Sequence, residues 1–172
     1  MKAAGILVAV AVALALQTTL ARFLVRGVVS LDLVLVAVVY VALMTGSVTG
    51  LLTGALAGLL QDVVTRVPSS IIGIGGLAKT IVGFLAGVVG TQFIVAQPLP
   101  RFVVFFSATI VHAVIFMGLY VLLDLRHFGT PVAAVSGQAL GNAVAGVVAF
   151  QVVELLPGAV ERRRAQRTRL RR

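Results

Sequence analysis

"TGSVTGLLTGALAGLLQDVVTRVPSS", residues 45–70, carries glycine at every fourth position, Gly46, Gly50, Gly54 and Gly58, and then meets a carboxylate at Asp62. Residues four apart share one face of a helix. A face of small residues lets a second backbone come close, and such packing drives association where hydrophobicity cannot. The row sits in a run from Leu33 to Gln61, 29 residues without a charge. As one helix that run would be about 43 Å long, against a hydrocarbon core of about 30 Å. Its first part, "LDLVLVAVVYVAL", is bulky and β-branched, and its second part is glycine-rich. That shift predicts two helices divided near Thr45-Gly46-Ser47, the first facing lipid and the second packed inside.

Composition sets the medium. The chain has 172 residues, 60% hydrophobic and 11% charged, with a mean hydropathy of +1.14. A soluble domain carries roughly 25% charged residues, so these side chains cannot cover a water-facing surface. The apolar runs are continuous rather than alternating in segments of about ten, which favours spanning helices over a β-barrel. Charges and turn formers then place helices at about Ala4–Leu20, Leu77–Ile94, Phe102–Leu123 and Val132–Leu156 around the divided central run. "TRVPSSIIGIGG" reads as a loop or re-entrant stretch, and "AQPLPR", with two prolines, as a short turn. The expectation is an all-α integral membrane protein, a compact bundle of about six transmembrane helices. It forms one domain over 1–158, with a basic tail at 159–172. The first apolar run is long and others follow it, so it reads as a retained helix rather than a cleaved signal.

The net charge is +9, yet the last twelve residues, "ERRRAQRTRLRR", hold seven arginines and one glutamate. This is one basic tail and not a nucleic-acid face. Basic residues concentrate on the cytoplasmic side of a membrane, which puts the C-terminus inside; six spans put the N-terminus inside too, while five would fit the remaining charges equally well. The lipid bilayer is the immediate partner.

Several polar residues lie in apolar segments. Asp62 and Lys79 stand near facing ends of consecutive helices, placed to pair; an ionisable group at membrane depth is costly unless paired. Gln61 adjoins Asp62. Gly83 and Gly87 repeat the small-residue spacing in the following helix. His112, with Ser107 and Thr109 nearby, and Gln138 with Asn142, four apart, read as hydrogen-bonders between helices. "GIGGLAKT" lacks the glycine that a phosphate loop needs before its lysine. No catalytic triad, paired carboxylates or metal spacing is present in the sequence, so no catalytic, cofactor or metal residue is assigned.

"GALAGLLQDVV" followed by "GLAKTIVGFLAGVVG" resembles the bacterial rod shape-determining protein MreD family. The shared pattern is Gly58, Leu59, Gln61 and Asp62, then Leu77, Ala78, Lys79 and Thr80 ahead of Gly83 and Gly87. "LDLVLVAVVYVAL" is similar to the family's second helix, and Asn142 in the last helix fits. The likeness covers roughly residues 5–156 and leaves out the arginine tail. It implies a non-enzymatic scaffold or regulator of the cell-elongation machinery in the inner membrane. The direct partner so implied is the bitopic protein MreC; RodA, a class B penicillin-binding protein and MreB belong to the wider complex. The family is also similar in fold to the substrate-binding subunits of energy-coupling-factor transporters. The alternative reading is therefore a subunit that binds a vitamin-type small molecule.

Overall fold

The computed structural model describes residues 3–24, 31–65, 71–93, 97–125, 128–129 and 131–155, with backbone alone for 20–24. The arginine tail, 159–172, lies outside the described residues, as do Lys2, Arg26, Arg66 and Arg126. Among the described residues six helices follow one another: α1 (Ala3–Leu24), α2 (Leu33–Thr45), α3 (Ser47–Thr65), α4 (Ile74–Gln92), α5 (Pro98–Leu122) and α6 (Val132–Leu155). No strand occurs among the described residues. Helices α3 to α6 are each long and apolar enough to cross a membrane.

The uncharged run divides where the composition changes. Gly46 separates α2 from α3 with φ +98°, a conformation that side chains with a Cβ avoid. Its N–H donates to the Ala42 carbonyl and closes α2. Gly46 is thus the hinge, and the helical glycine row starts at Gly50.

The predicted burial of the two halves is inverted. α2 has 13 residues, about 20 Å of helix, too short to cross the hydrocarbon alone. It runs through the middle of the bundle and touches all five other helices. Val34, Val38, Val39, Val41 and Ala42 are fully buried. Its β-branched side chains fill the core, and its polar ends meet protein rather than lipid, as backbone groups in a membrane must. α3 buries only a face of small residues, Gly50, Thr53, Gly54, Ala57 and Gly58, and turns Val48, Leu52, Leu56 and Leu59 outward.

That stripe closes on α4 in the most extensive helix–helix contact of the bundle. A Cβ on Gly50 would collide with the Gly83 carbonyl, one on Gly54 with the Lys79 carbonyl, and one on Gly58 with the backbone of Gly76. On the α4 side, Gly87 abuts the backbone of Gly46 and Ser47. Lipid tails are as apolar as leucine, so side-chain burial alone gives little gain here; close backbone packing supplies the attraction.

Three boundaries differ from the sequence reading; α1 runs on to Leu24, four residues past the expected end. α4 begins at Ile74, inside the stretch assigned to a loop, because a carboxylate from α3 caps it. α5 begins at Pro98, so both prolines of "AQPLPR" lie in its first turn, where the missing N–H groups have no intrahelical partner in any case.

Gly54→Ala is expected to lower stability in detergent by about 1–3 kcal/mol, the usual cost of overpacking, whereas Gly118→Ala, with open space around its would-be Cβ, leaves it unchanged. Thermal unfolding of the two purified variants side by side checks this, and equal midpoints would remove the seam as a determinant.

Candidate functional site

Asp32 stands immediately before the uncharged run and caps α2. Its Oδ1 accepts from the Leu35 N–H at 2.9 Å, as an aspartate at this position commonly does. The same carboxylate is 5% exposed and forms an ion pair through Oδ2 with Lys79 Nζ of α4, 2.8 Å away. Lys79 is 3% exposed. Its ammonium has protons to give and no lone pair, so it donates to His112 Nε2 of α5 at 3.2 Å.

The remaining helices join through neutral groups. The Asp32 N–H donates to Asn142 Oδ1 of α6 at 2.9 Å. Asn142, fully buried, donates a hydrogen bond through Nδ2 to Thr109 Oγ1 of α5 at 3.2 Å, and Thr109 donates to the Phe105 carbonyl. Gln61 of α3 reaches Asp32 Oδ1 at 3.5 Å. Gln17 of α1 accepts from the Val34 N–H at 3.1 Å. Every helix contributes to this one cluster.

Asp62 has a different partner from the one expected. It does not pair with Lys79, which lies more than a turn inside α4. Instead its Oδ2 accepts from the Gly73 N–H at 2.8 Å and the Gly76 N–H at 3.2 Å. Gly73 supplies no side-chain cap of its own and has φ +111°. A carboxylate at this spot satisfies orphan amides and faces the positive end of the helix dipole. A Cβ on Gly75 would strike this carboxylate, so the close approach requires glycine there.

Beside the network lies a half-open cavity of about 380 Å³. Asp32, Gln61, Asp62, Lys79, His112 and Gln138 all line it. It sits at the end of the bundle where α3 and α5 finish and α4 and α6 begin. The structure thus brings five sequence-predicted polar residues, Gln61, Asp62, Lys79, His112 and Gln138, to one wall or floor. Asn142 lies in the network beside them. Gly50, Gly54, Gly58, Gly83 and Gly87 form the helix seam and do not line the cavity.

Sequence reasoning missed Asp32. Its signals were available: an N-cap residue type placed directly before an apolar run, and one of only five acids in the chain. It also missed a second polar anchor at the opposite end. There Arg101 of α5, 2% exposed, pairs with Glu154 of α6 at 2.6 Å and lies 4.4 Å over the Phe150 ring.

A family model described as rod shape-determining protein MreD matches residues 3–157, the family that the Gln-Asp and Ala-Lys-Thr motifs pointed to. Comparison with curated proteins and with solved structures returned no match.

Breaking a buried pair from one side leaves an uncompensated charge and costs about 3–5 kcal/mol, whereas replacing both partners is far milder. Asp32→Asn and Lys79→Met should each sharply reduce the folded fraction, and the double variant should recover much of the loss. A double-mutant cycle on thermal unfolding measures the coupling; strictly additive effects would show that the pair is not cooperative.

Proposed function

The chain belongs to the MreD family of rod shape-determining proteins, and on that premise we propose that it is a scaffold of the elongation machinery that binds MreC and supports lateral peptidoglycan synthesis. The family is one of shape determination and is not known for enzymes; the chain is a multi-pass membrane protein. The family match across 3–157 is the observation that carries the proposal. RodA, a class B penicillin-binding protein and MreB form the wider assembly in this reading.

The physical logic is that of a rigid membrane part. A scaffold needs one defined shape, and a bundle held only by apolar contacts in lipid has little to select one packing over another. A buried polar cluster selects strongly, because any slipped packing leaves a charge or amide unpaired. The Asp32–Lys79 pair and the Arg101–Glu154 pair pin the two ends of the bundle in this way.

In this proposal the protein lies in the bacterial inner membrane with its C-terminus in the cytoplasm. The Asp32–Lys79 end then faces the periplasm and the Arg101–Glu154 end the cytoplasm. The likeness to energy-coupling-factor substrate-binding subunits and the basic cytoplasmic tail at 159–172 belong to the same proposal. The cavity at the Asp32–Lys79 end is the one observation that favours the second reading, a small-molecule-binding subunit.

Mild-detergent purification of the tagged chain should bring down MreC. Lys79→Ala should lower the membrane level of the protein or its yield of MreC and round the cells. Asp62→Ala, which uncaps α4 at a cost of about 0.5–2 kcal/mol, should do so more weakly. Unchanged abundance, MreC yield and cell shape in both variants would defeat the proposal that this polar end supports the scaffold.

A further inference from the structure

Seven arginines between residues 162 and 172 form the largest charge cluster in the chain, and the scaffold reading gives them no task beyond fixing topology. The family match stops at residue 157, so they lie past the stretch that carries that reading. α6 holds the tail in place. Its 24 residues make about 36 Å of helix, enough to cross a hydrocarbon core of about 30 Å. It stays lipid-facing to its last turn, with Val152 54% and Leu155 80% exposed. Arg162 follows Leu155 by seven residues, at most about 25 Å of extended chain. The cluster therefore starts within reach of the headgroup layer at the Arg101–Glu154 end of the bundle.

The chain itself offers this cluster little to pair with. Its five acids are Asp32, Asp62, Asp124, Glu154 and Glu161. Asp32 holds Lys79, and Asp62 caps α4 through the Gly73 and Gly76 amides. Asp124 follows the end of α5, and from Arg101 to that end is about 32 Å of helix. Only Glu154 and Glu161 stand near the tail, and Glu154 already holds Arg101. Two carboxylates, even if both turned to the tail, leave most of the seven arginines unmatched. A guanidinium grips phosphate with two parallel N–H bonds. Phospholipid phosphate is the anion always present within the tail's reach. Clusters of about four to eight basic residues directly beyond a spanning helix bind anionic lipid surfaces. Attachment to α6 also keeps the tail concentrated at those headgroups, so a nucleic acid or an acidic protein has to compete with a partner already in place.

We propose that residues 161–172 dock on anionic phospholipid headgroups of the leaflet at the Arg101–Glu154 end, guanidinium on lipid phosphate, and gather anionic lipid around the end of α6. The contact is electrostatic, so it depends on lipid charge and weakens with salt. In the orientation proposed above that leaflet is the cytoplasmic one. The lipid contact itself holds in either orientation, so it goes beyond the scaffold reading and is tested apart from MreC capture.

The chain has no tryptophan, so Leu170→Trp places a sole reporter in the tail. The full chain with this substitution goes into nanodiscs of phosphatidylcholine alone and of phosphatidylcholine with phosphatidylglycerol. Both faces of a disc are alike, so orientation does not enter. Emission should shift to the blue and acrylamide quenching should fall severalfold only in the discs with phosphatidylglycerol. Salt at about 1 M, where the screening length is about 3 Å, should undo both changes. Arg→Gln at all seven positions of the same reporter chain should abolish them while the protein elutes as a folded species. Should that variant fail to insert, the salt titration decides. Added RNA or polyglutamate at physiological ionic strength should leave the protection in phosphatidylglycerol discs unchanged. Equal quenching in the two discs would reduce the tail to a topology signal and overturn the proposal. So would protection that survives high salt, lipid dependence retained by the folded glutamine variant, or displacement of the tail by RNA or polyglutamate.

Discussion

The ion pair between Asp32 and Lys79 is the constraint on which the rest of the bundle depends. Taking a carboxylate and an ammonium out of water costs several kcal/mol for each ion, and the pair persists only because its unused hydrogen-bonding capacity is met on every side. The Leu35 N–H and Gln61 Nε2 donate to Asp32 Oδ1, and His112 Nε2 accepts a hydrogen bond from Lys79. Asn142 holds the Asp32 main chain. Each helix must therefore stand at one height and one rotation for the cluster to close. In lipid, where apolar contacts discriminate poorly among packings, such a cluster is a strong selector of a single arrangement.

The glycine seam and the ion pair act together. Gly54 packs directly on the Lys79 carbonyl, so the closeness of α3 to α4 fixes where the Lys79 stem begins. Gly58 and Gly76 close the same seam one turn further along, and Asp62 then reaches the amides that open α4. A larger residue in the seam would push α4 outward and carry the ammonium away from Asp32. Small residues on one face thus serve an electrostatic end. α2 completes the arrangement: its 13 residues make it a buried core rod whose capped N-terminus presents Asp32 inside the bundle.

Much of this was legible in the sequence, for identifiable reasons. The break at Gly46 showed because β-branched composition changes to glycine-rich at that point. The seam showed because a spacing of four has one geometric meaning on a helix. Gln61, Asp62, Lys79, His112 and Asn142 stood out because polar groups in apolar runs are expensive. Other features were hidden. Asp32 was hidden because it lies at the boundary of an apolar run rather than within one. Asp62 looked like the mate of Lys79 because proximity in sequence was the only distance available. The opposite burial of α2 and α3 was hidden as well, since valine suits a buried helix and a lipid-facing one equally when both surroundings are apolar.

By itself, the sequence determined the medium, the helices and the list of polar groups that must be satisfied, because these follow from local composition and periodicity. Only the tertiary structure decided who satisfies whom. Lys79 has two carboxylates within reach of a plausible fold, and the choice of Asp32 over Asp62 is made by the rotation of α4 against a seam of glycines. That rotation turns Lys79 toward the start of α2, and it leaves Asp62 to the free amides at the start of α4. The cavity beside them exists for the same reason: four helix ends meet at a level set by the ion pair, and the space between them belongs to no single segment.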